Sequence, residues 1–321
     1  MSDPVSAQTG LVDIHCHGAL GFEFGGTSQG SRAAAEHHRR SGTTTLVASL
    51  VSAPPEVLAH GVATLAPLVA DGTIAGIHLE GPFLAEACRG AHDPRFLIDP
   101  DPALIERLVE VAGEAGAPHA IKHLTFAPER AGAPDLVRTL VAHGIHPAVG
   151  HTAAPADVVA RTIADIAERS GRPALVTHLF NGMPAFHHRA GGPAAAALAA
   201  AARGEAIVEV IADGVHVGPE VVRMVFDTVG PEHIALVSDA MAATGLGDGD
   251  YDLGGLPVRV SDGTARLVDT GSIAGGTSTI AQVVQWCIDV AGVDPQAALV
   301  AATHTPRRAL GLPQPSTAPR S

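Results

Sequence analysis

The chain has 321 residues, of which 46% are hydrophobic and 17% are charged. These proportions exclude a disordered chain and are typical of one large globular domain or two smaller ones. The formal net charge is −13 and the chain has no basic run, so we expect no nucleic-acid partner. There is no apolar stretch of about 20 residues, so we expect no membrane partner either.

Three scattered cysteines, Cys16, Cys88 and Cys287, predict free thiols and a reducing compartment rather than a disulfide framework. The first ten residues lack a positively charged start followed by an apolar run, so we expect no signal peptide and predict a cytoplasmic protein. We interpret residues 1–10 and the proline- and serine-rich residues 312–321 as disordered, and residues 11–311 as one domain.

Short apolar runs alternate with alanine-rich helical segments along the chain. The predicted strands are, in chain order, Leu11–His17, Thr43–Leu50, Ile74–Glu80, His119–Phe126, Ile145–His151, Ala174–Phe180, Ala206–Ala212 and His233–Asp239. The predicted helices between them are Ser31–Ser41, Pro54–Ala70, Pro102–Ala115, Pro134–His143, Pro155–Ser170, Pro193–Arg203 and Pro219–Val229. Several of these helices begin with proline, whose missing N–H would have no partner in a first turn.

Eight buried strands that alternate with helices predict a closed parallel (β/α)8 barrel of the TIM type. The alternative is an open doubly wound sheet, which is the weaker prediction because no glycine-rich phosphate loop begins the first helix. After the eighth strand, Tyr251–Val268 alternates with period two around Asp262 and Gly263, which predicts a hairpin insert at about 251–268. Thr277–Ala291 and Asp294–Thr303 are predicted to be closing helices.

Polar side chains stand at the ends of five of the eight predicted strands. They are His15, His17, Glu80, His151, His178 and Asp239. Because catalytic groups of such barrels lie at the carboxyl ends of the strands, we expect these side chains to meet at one rim. Imidazole and carboxylate ligands suit Zn²⁺, with Fe²⁺, Co²⁺ and Mn²⁺ as alternatives. We therefore predict a hydrolytic metal site at which Asp239 acts as general base and then as general acid.

Strand periodicity places the other polar residues near this site. Residues two apart share a face, so we expect His15 and His17 to point inward with Asp13 below them and Cys16 toward the helices. His78 also has inward parity, but we do not expect it to bind the metal directly. The histidines on predicted helices are interpreted as solvated, namely His37, His38, His60 and His143.

Seven motifs together resemble the N-acetylglucosamine-6-phosphate deacetylases of the amidohydrolase superfamily. In chain order they are "DIHCHG", "GIHLEGPF", "RGAHDP", "GHT", "THLFNGMPAFHHR", "IADGVHV" and "LVSDAM", and the similarity runs from about residue 12 to 311. The resemblance implies a homodimer that hydrolyses the acetamide of N-acetylglucosamine 6-phosphate to glucosamine 6-phosphate and acetate in amino-sugar catabolism. Members usually carry a small β-sandwich as well, which we expect to be largely missing here.

The resemblance also implies roles for individual residues. Glu80, His151 and His178 match the principal metal ligands. His15 and His17 match the variant of the family that holds a second metal, with Glu80 as the bridge.

Further residues are implied to contact the substrate. His92 of "RGAH" would polarise the acetamide carbonyl and stabilise the oxyanion. The implied sugar-phosphate contacts are Asn181, the backbone at Gly182, Arg189 and His216, and a guanidinium fork suits phosphate oxygens. The stretches "HHRAGG" and "SIAGGTST" depart from the usual family pattern. They leave open a different N-acetylated amino-sugar phosphate or an unphosphorylated relative as the substrate.

Two other functions compete with this one. A cyclic amidase resembling dihydroorotase would bridge two metals with a carbamylated lysine on strand four, where the chain has its only lysine, Lys122. We prefer Glu80 as the bridge because Lys122 is predicted to lie deeper in its strand than a rim ligand should. A catalytically silent sugar-phosphate sensor would keep the barrel without turnover. Asp239 argues against a sensor, since a binding protein needs no group for proton transfer.

Overall fold

A computed structural model describes residues 10–312. The disorder predicted for the first ten and last ten residues therefore falls almost entirely outside the described residues. Eight parallel strands form one sheet in the order of the chain. They are β1 (Leu11–Cys16), β2 (Thr43–Val51), β3 (Gly76–Glu80), β4 (Ile121–Phe126), β5 (His146–Val149), β6 (Ala174–Val176), β7 (Ala206–Val210) and β8 (Ile234–Leu236).

The sheet closes where the residues after β8 meet β1. Cys16 and Ala240 form a parallel bridge. The amide of Asp239 donates to the carbonyl oxygen of His15 at 2.9 Å, and the amide of His17 donates to that of Ala240 at 2.7 Å. The predicted barrel is therefore confirmed, and the open doubly wound alternative is wrong.

Helices follow the strands and cover the outside of the barrel. They are α1 (Ser28–Arg40), α2 (Pro55–Ala70), α3 (Pro102–Glu114), α4 (Ala133–Ala142), α5 (Ala156–Ser170), α6 (Gly192–Ala202), α7 (Pro219–Val229), α8 (Ile280–Asp289) and α9 (Pro295–Leu310). Helix α9 runs seven residues further than predicted, through Pro306, and ends before Gly311, whose φ of 62° is left-handed. Within residues 10–312, no helix combines the length and apolarity needed to cross a membrane.

The predicted hairpin insert is a meander of three strands, β9 (Gly249–Leu253), β10 (Leu256–Ser261) and β11 (Thr264–Leu267). The turn at Asp262 and Gly263 is confirmed, and both residues have positive φ. A second turn at Gly254–Gly255 was not predicted. Within residues 10–312, this meander and a short ribbon of Gly18–Ala19 with Phe22–Glu23 are the strands outside the barrel, so these residues build no β-sandwich.

Two apolar layers hold the barrel together. The larger layer lies between the strands and the surrounding helices. The smaller layer fills the barrel interior and is completed by the end of α9; it includes Val12, Ile14, Val47, Ala148, Leu175, Ile207, Ile211, Ala235, Val237, Ala309 and Leu310. Most of these interior residues precede the polar strand ends in their strands, so the polar rim rests on a dry, packed base.

Strand β1 departs from simple alternation. Its pairing with β2 shifts register between Asp13 and Cys16. Val12 and Ile14 consequently belong to the interior layer, while the carboxylate of Asp13 accepts hydrogen bonds from Ser238. The expected position of Asp13 below the two histidines is therefore wrong, because a β-bulge changes which side chains face inward.

The expectation of solvated helix histidines fails at one position. His60 and His143 are exposed and His37 is half-buried, but His38 is fully buried. Its Nε2 donates to the carbonyl oxygen of Gly18 at 3.0 Å and lies 3.2 Å from the sulfur of Cys16. His38 therefore belongs to the interface between α1 and β1. The three cysteines are free, as predicted, and all three are buried.

We predict that Leu175→Ala lowers the free energy of unfolding by about 2–5 kcal/mol, because the closed ring of strands cannot collapse onto the cavity. Leu175 is fully buried in the interior layer, whereas the matched control, Leu246, is 51% exposed. Leu246→Ala should change stability by less than about 0.5 kcal/mol. Urea unfolding at saturating metal measures both, and equal losses in the two variants would contradict this account of the core.

Candidate metal centre

The carboxyl ends of the strands bring the predicted ligands to one cavity of about 220 Å³. Glu80 is the last residue of β3, His17 follows β1, and His151 lies two residues after β5. The cavity lining includes His17, Glu80, His92, His151, His178, Asn181, Gly182, His216 and Asp239. The strand ends predicted from the sequence therefore supply most of the polar side chains around this cavity.

The carboxylate of Glu80 lies at the centre of the cluster. Its Oε1 is 2.9 Å from the Nε2 of both His151 and His178. Its Oε2 is 3.1 Å from the Nε2 of His17, and Oε1 is 3.5 Å from that of His15. The carboxylate thus lies against these four imidazoles with both of its oxygens, which suits the bridging role predicted for Glu80.

Asp239 completes one side of the cluster. Its Oδ1 lies 3.2 Å from the Nε2 of His17 and 3.4 Å from that of His15. The two Nε2 atoms of these histidines are 3.2 Å apart. Glu80 therefore has two sets of neighbours: His151 and His178 form the first group, and His15, His17 and Asp239 form the second.

The hydrogen-bond partners of the imidazoles decide whether the cluster fits a cation. His15 Nδ1 lies 3.0 Å from the carboxylate of Glu209, and His151 Nδ1 lies 2.8 Å from the carbonyl oxygen of Cys88. Both partners accept, so each Nδ1 carries a hydrogen, and each Nε2, which faces Glu80, either holds a second hydrogen or offers a lone pair to a cation. Lone pairs that face a carboxylate repel it unless a cation lies between them. The donor set therefore fits a divalent metal ion.

The charge balance of the cluster also favours cations. Burial would raise the pKa of Asp239, but His15 and His17 hold it at about 2. Burial would lower the pKa of His17, but its bonds to Asp239 and Glu80 raise it to about 9. The carboxylates are therefore ionised at neutral pH, and the site attracts positive charge, either as protons or as metal ions.

Three of these side chains belong to residues whose own backbone has positive φ. Six described non-glycine residues have positive φ, and three of them are His151 at 47°, His178 at 26° and Asp239 at 49°. Such conformations are costly for residues with a Cβ and concentrate at functional sites. They also end β5, β6 and β8 earlier than predicted, since a left-handed residue cannot continue a strand.

His92 lies on the other side of Glu80, in the loop after β3. Its Nδ1 accepts the amide hydrogen of Ser52 at 3.2 Å, which leaves the hydrogen of the neutral ring on Nε2. That Nε2 is 3.4 Å from Oε2 of Glu80. Burial lowers the pKa of His92 to about 4. His92 is therefore a neutral hydrogen-bond donor that faces the cavity.

The residues expected to bind the sugar phosphate divide into two sets. Asn181, Gly182 and His216 line the cavity. His216 is oriented by Asp213, whose carboxylate lies 2.8 Å from its Nδ1, and this bond raises the pKa of the buried His216 ring. Arg189 is different, because it lies on the exposed residues 184–190 and does not line this cavity.

Two residues that competed for a metal role lie elsewhere. His78 is buried on β3 and bonds the hydroxyls of Ser49 and Thr125 at 2.9 and 2.8 Å, so it does not contact Glu80. Lys122 packs over Gly76, at the opposite end of β3 from Glu80. This position does not suit a carbamylated lysine bridge.

Four groups that orient imidazoles of the site were not predicted from the sequence. These are Glu209 behind His15, Asp213 beside His216, Ser52 beside His92 and the carbonyl of Cys88 beside His151. Glu209 alone had a visible signal, since it is an acidic residue inside the apolar run of β7. A buried charge in a strand requires a partner.

Comparisons with known proteins agree on deacetylases of N-acetylated amino-sugar phosphates. The chain is 32% identical to the N-acetylglucosamine-6-phosphate deacetylase of Vibrio furnissii over 314 residues, which is 96% of the chain and 75% of the relative. It is 33% identical to the Homo sapiens enzyme of that name, over 94% of the chain and 74% of the relative. It is also 30% identical to the N-acetylgalactosamine-6-phosphate deacetylase of Escherichia coli O157:H7, over 94% and 77%. No family model matches the chain.

Solved structures give the same result. An aspartate-to-alanine variant of the Mycobacterium smegmatis N-acetylglucosamine-6-phosphate deacetylase, in complex with N-acetylglucosamine 6-phosphate, superposes with a TM-score of 0.86 at 42% identity. The match covers 95% of this chain and 78% of that one. The Thermotoga maritima deacetylase has a TM-score of 0.82 at 29% identity, over 94% and 78%.

Gly182 provides a test of the first group of ligands. A Cβ on Gly182 would lie 2.7 Å from His151 Nδ1 and 3.1 Å from the Cys88 carbonyl oxygen, which form the bond that orients this ligand. We predict that Gly182→Ala weakens Zn²⁺ binding roughly 10-fold, the usual effect of disturbing a partner of a ligand. Competitive Zn²⁺ titration measures the affinity.

Gly192→Ala is the matched control. Gly192 has a φ of 58° against 60° for Gly182, so the backbone strain is alike, but a Cβ there meets nothing within 4 Å. Equal Zn²⁺ affinities in the two variants would show that contact with His151 does not matter.

Proposed function

The chain belongs to the N-acetylglucosamine-6-phosphate deacetylase family, and we propose that it hydrolyses the acetamide of N-acetylglucosamine 6-phosphate. The products are glucosamine 6-phosphate and acetate, and the reaction is that of a metal-dependent amidohydrolase. The observation that carries this proposal is the convergence of the imidazoles of His15, His17, His151 and His178 on Glu80. Asp239 lies against His15 and His17, and His92 lines the same cavity as Glu80.

We propose that the centre holds Zn²⁺, or alternatively Fe²⁺, Co²⁺ or Mn²⁺, at up to two positions that share Glu80. His151 and His178 would hold one ion, and the second group of ligands would hold the other. Imidazole and carboxylate donors support this assignment. When bound, a divalent cation supplies a water nucleophile near neutral pH and polarises the amide carbonyl.

The residues of the chain move the proton and hold the developing charge. Asp239 is ionised, so it accepts a proton from the attacking water and donates it to the nitrogen as the carbon–nitrogen bond breaks. The hydrogen on His92 Nε2 is available to the carbonyl oxygen as that oxygen gains charge. Acetate and the free amine then leave the cavity.

Asn181, Gly182 and His216 line the cavity and would contact the sugar. For Arg189 we propose the phosphate contact and a homodimer in which a second copy brings this side chain to the cavity. Its support is the exposure of residues 184–190, which directly follow the lining residues in sequence. We place the enzyme in the cytoplasm, which its three free cysteines support.

Asp239→Asn tests the function most simply. We expect acetate release from N-acetylglucosamine 6-phosphate to fall at least about 100-fold, because an amide cannot transfer the proton. Asp227→Asn is the control, since that carboxylate pairs with Arg223 on the exposed side of α7. A coupled acetate assay with Zn²⁺-loaded protein measures both. If the wild-type protein binds the sugar phosphate but releases no acetate, the function is that of a sensor.

A substrate panel in the same assay separates the remaining alternatives. N-acetylgalactosamine 6-phosphate belongs in it because one relative carries that name. Unphosphorylated N-acetylglucosamine belongs in it because equal kcat/KM with and without phosphate would contradict the role of Arg189. A cyclic amide completes the panel.

A further inference from the structure

We propose that Glu209 is a positioning residue that determines whether the second group of ligands holds an ion. It would do so by orienting His15, and the inference rests on the two-ion centre proposed above. Glu209 lies on β7 and is fully buried. It is no part of the cavity lining, so it acts through another residue and not on substrate.

The contacts of Glu209 are directed at the ligands. Its Oε2 accepts from His15 Nδ1 at 3.0 Å and from the backbone amide of His178 at 3.2 Å. Among the hydrogen bonds of the described residues, Oε1 has no partner, and His123 Nε2 lies 4.0 Å from it. The carboxylate is therefore held by one oxygen, and its main side-chain partner is His15.

A carboxylate buried in this way is costly unless positive charge lies nearby. A cation on the Nε2 of His15 would polarise the imidazole ring. The Nδ1–H, which donates to Glu209, would then carry more positive charge. Such a carboxylate–histidine–metal arrangement fixes the tautomer and makes the ring a stronger ligand. The free-energy cost of burying Glu209 is thus offset when the Nε2 of His15 binds a cation.

The effect should be selective for the second group. His15 is a neighbour of His17 and Asp239, whereas His151 of the first group is oriented separately by the Cys88 carbonyl. Glu209 also touches the amide of His178, but the backbone there has a further anchor. The amide of Leu179 donates to the carbonyl oxygen of Glu209 at 2.8 Å, and this bond survives any side-chain change.

The test counts ions. Wild-type protein and variants are equilibrated at buffered free Zn²⁺, and bound zinc is measured by mass spectrometry and by competitive titration. We expect two ions in the wild type and one in Glu209→Ala, with the weaker affinity reduced about 10- to 100-fold or lost. His15→Ala should give the same pattern. Glu209→Gln keeps an acceptor oxygen for His15, so it should retain both ions with a smaller loss of affinity.

The matched control is His146→Gln. His146 is also fully buried in the barrel, but its Nε2 bonds the carbonyl oxygen of Pro173 at 2.9 Å, away from the cluster. This variant should hold two ions. Thermal unfolding reports whether each variant folds. If Glu209→Ala does not fold, Glu209→Gln decides the test, because an affinity for the second ion equal to that of the wild type would overturn the proposal.

A wild-type protein that never binds more than one ion would overturn the proposal. A folded Glu209→Ala variant would also overturn it, either by binding two ions as tightly as the wild type or by losing both ions. The ion count does not depend on turnover. If the protein binds the expected number of ions but releases no acetate, the proposed function is wrong and the role of Glu209 still stands.

Discussion

The crowding of imidazole nitrogens around the carboxylate of Glu80 is the constraint on which the rest of the site depends. His151 and His178 place their Nε2 atoms 2.9 Å from one carboxylate oxygen, and all three side chains are almost completely buried. In such surroundings charges are weakly screened, so the arrangement is stable only when cations or extra protons occupy the space between these atoms. Metal binding and proton loss are thereby coupled at this site.

The barrel makes this crowding possible. Strand β1 supplies His15 and His17, while Asp239 follows β8. These residues meet only because the amide of Asp239 bonds the carbonyl of His15 and closes the ring. The contact that closes the sheet therefore also brings the second group of ligands together. The meander β9–β11 then packs against the residues that follow Asp239.

The sequence was informative where chemistry and position coincided. Polar residues at the ends of apolar strands stand out, and the barrel rule places them at one rim, so all six proposed ligands could be predicted from the sequence. The strand ends themselves were less predictable. Left-handed residues such as His178 stop a strand early, and no local pattern distinguishes them from residues that continue it.

Features that depend on neighbours distant in sequence could not be predicted. The bulge in β1 rotates Asp13 away from the ligands, and the burial of His38 follows from how α1 packs on β1. Glu209 becomes meaningful only once His15 is known to lie against it, 194 residues away in sequence. Arg189 illustrates the reverse case, since a motif predicts a phosphate contact for a side chain that does not line the cavity of one copy.

Anomalous diffraction from crystals grown with Zn²⁺ tests the central claim most directly, because it locates ions without relying on activity. The account predicts one zinc peak in contact with Glu80, His151 and His178, and a second shared by Glu80 with the group of His15. Crystals with no zinc peak beside Glu80, although zinc binds elsewhere on the protein, would contradict it. The converging imidazoles would then be protonated partners of a buried carboxylate and not a metal centre.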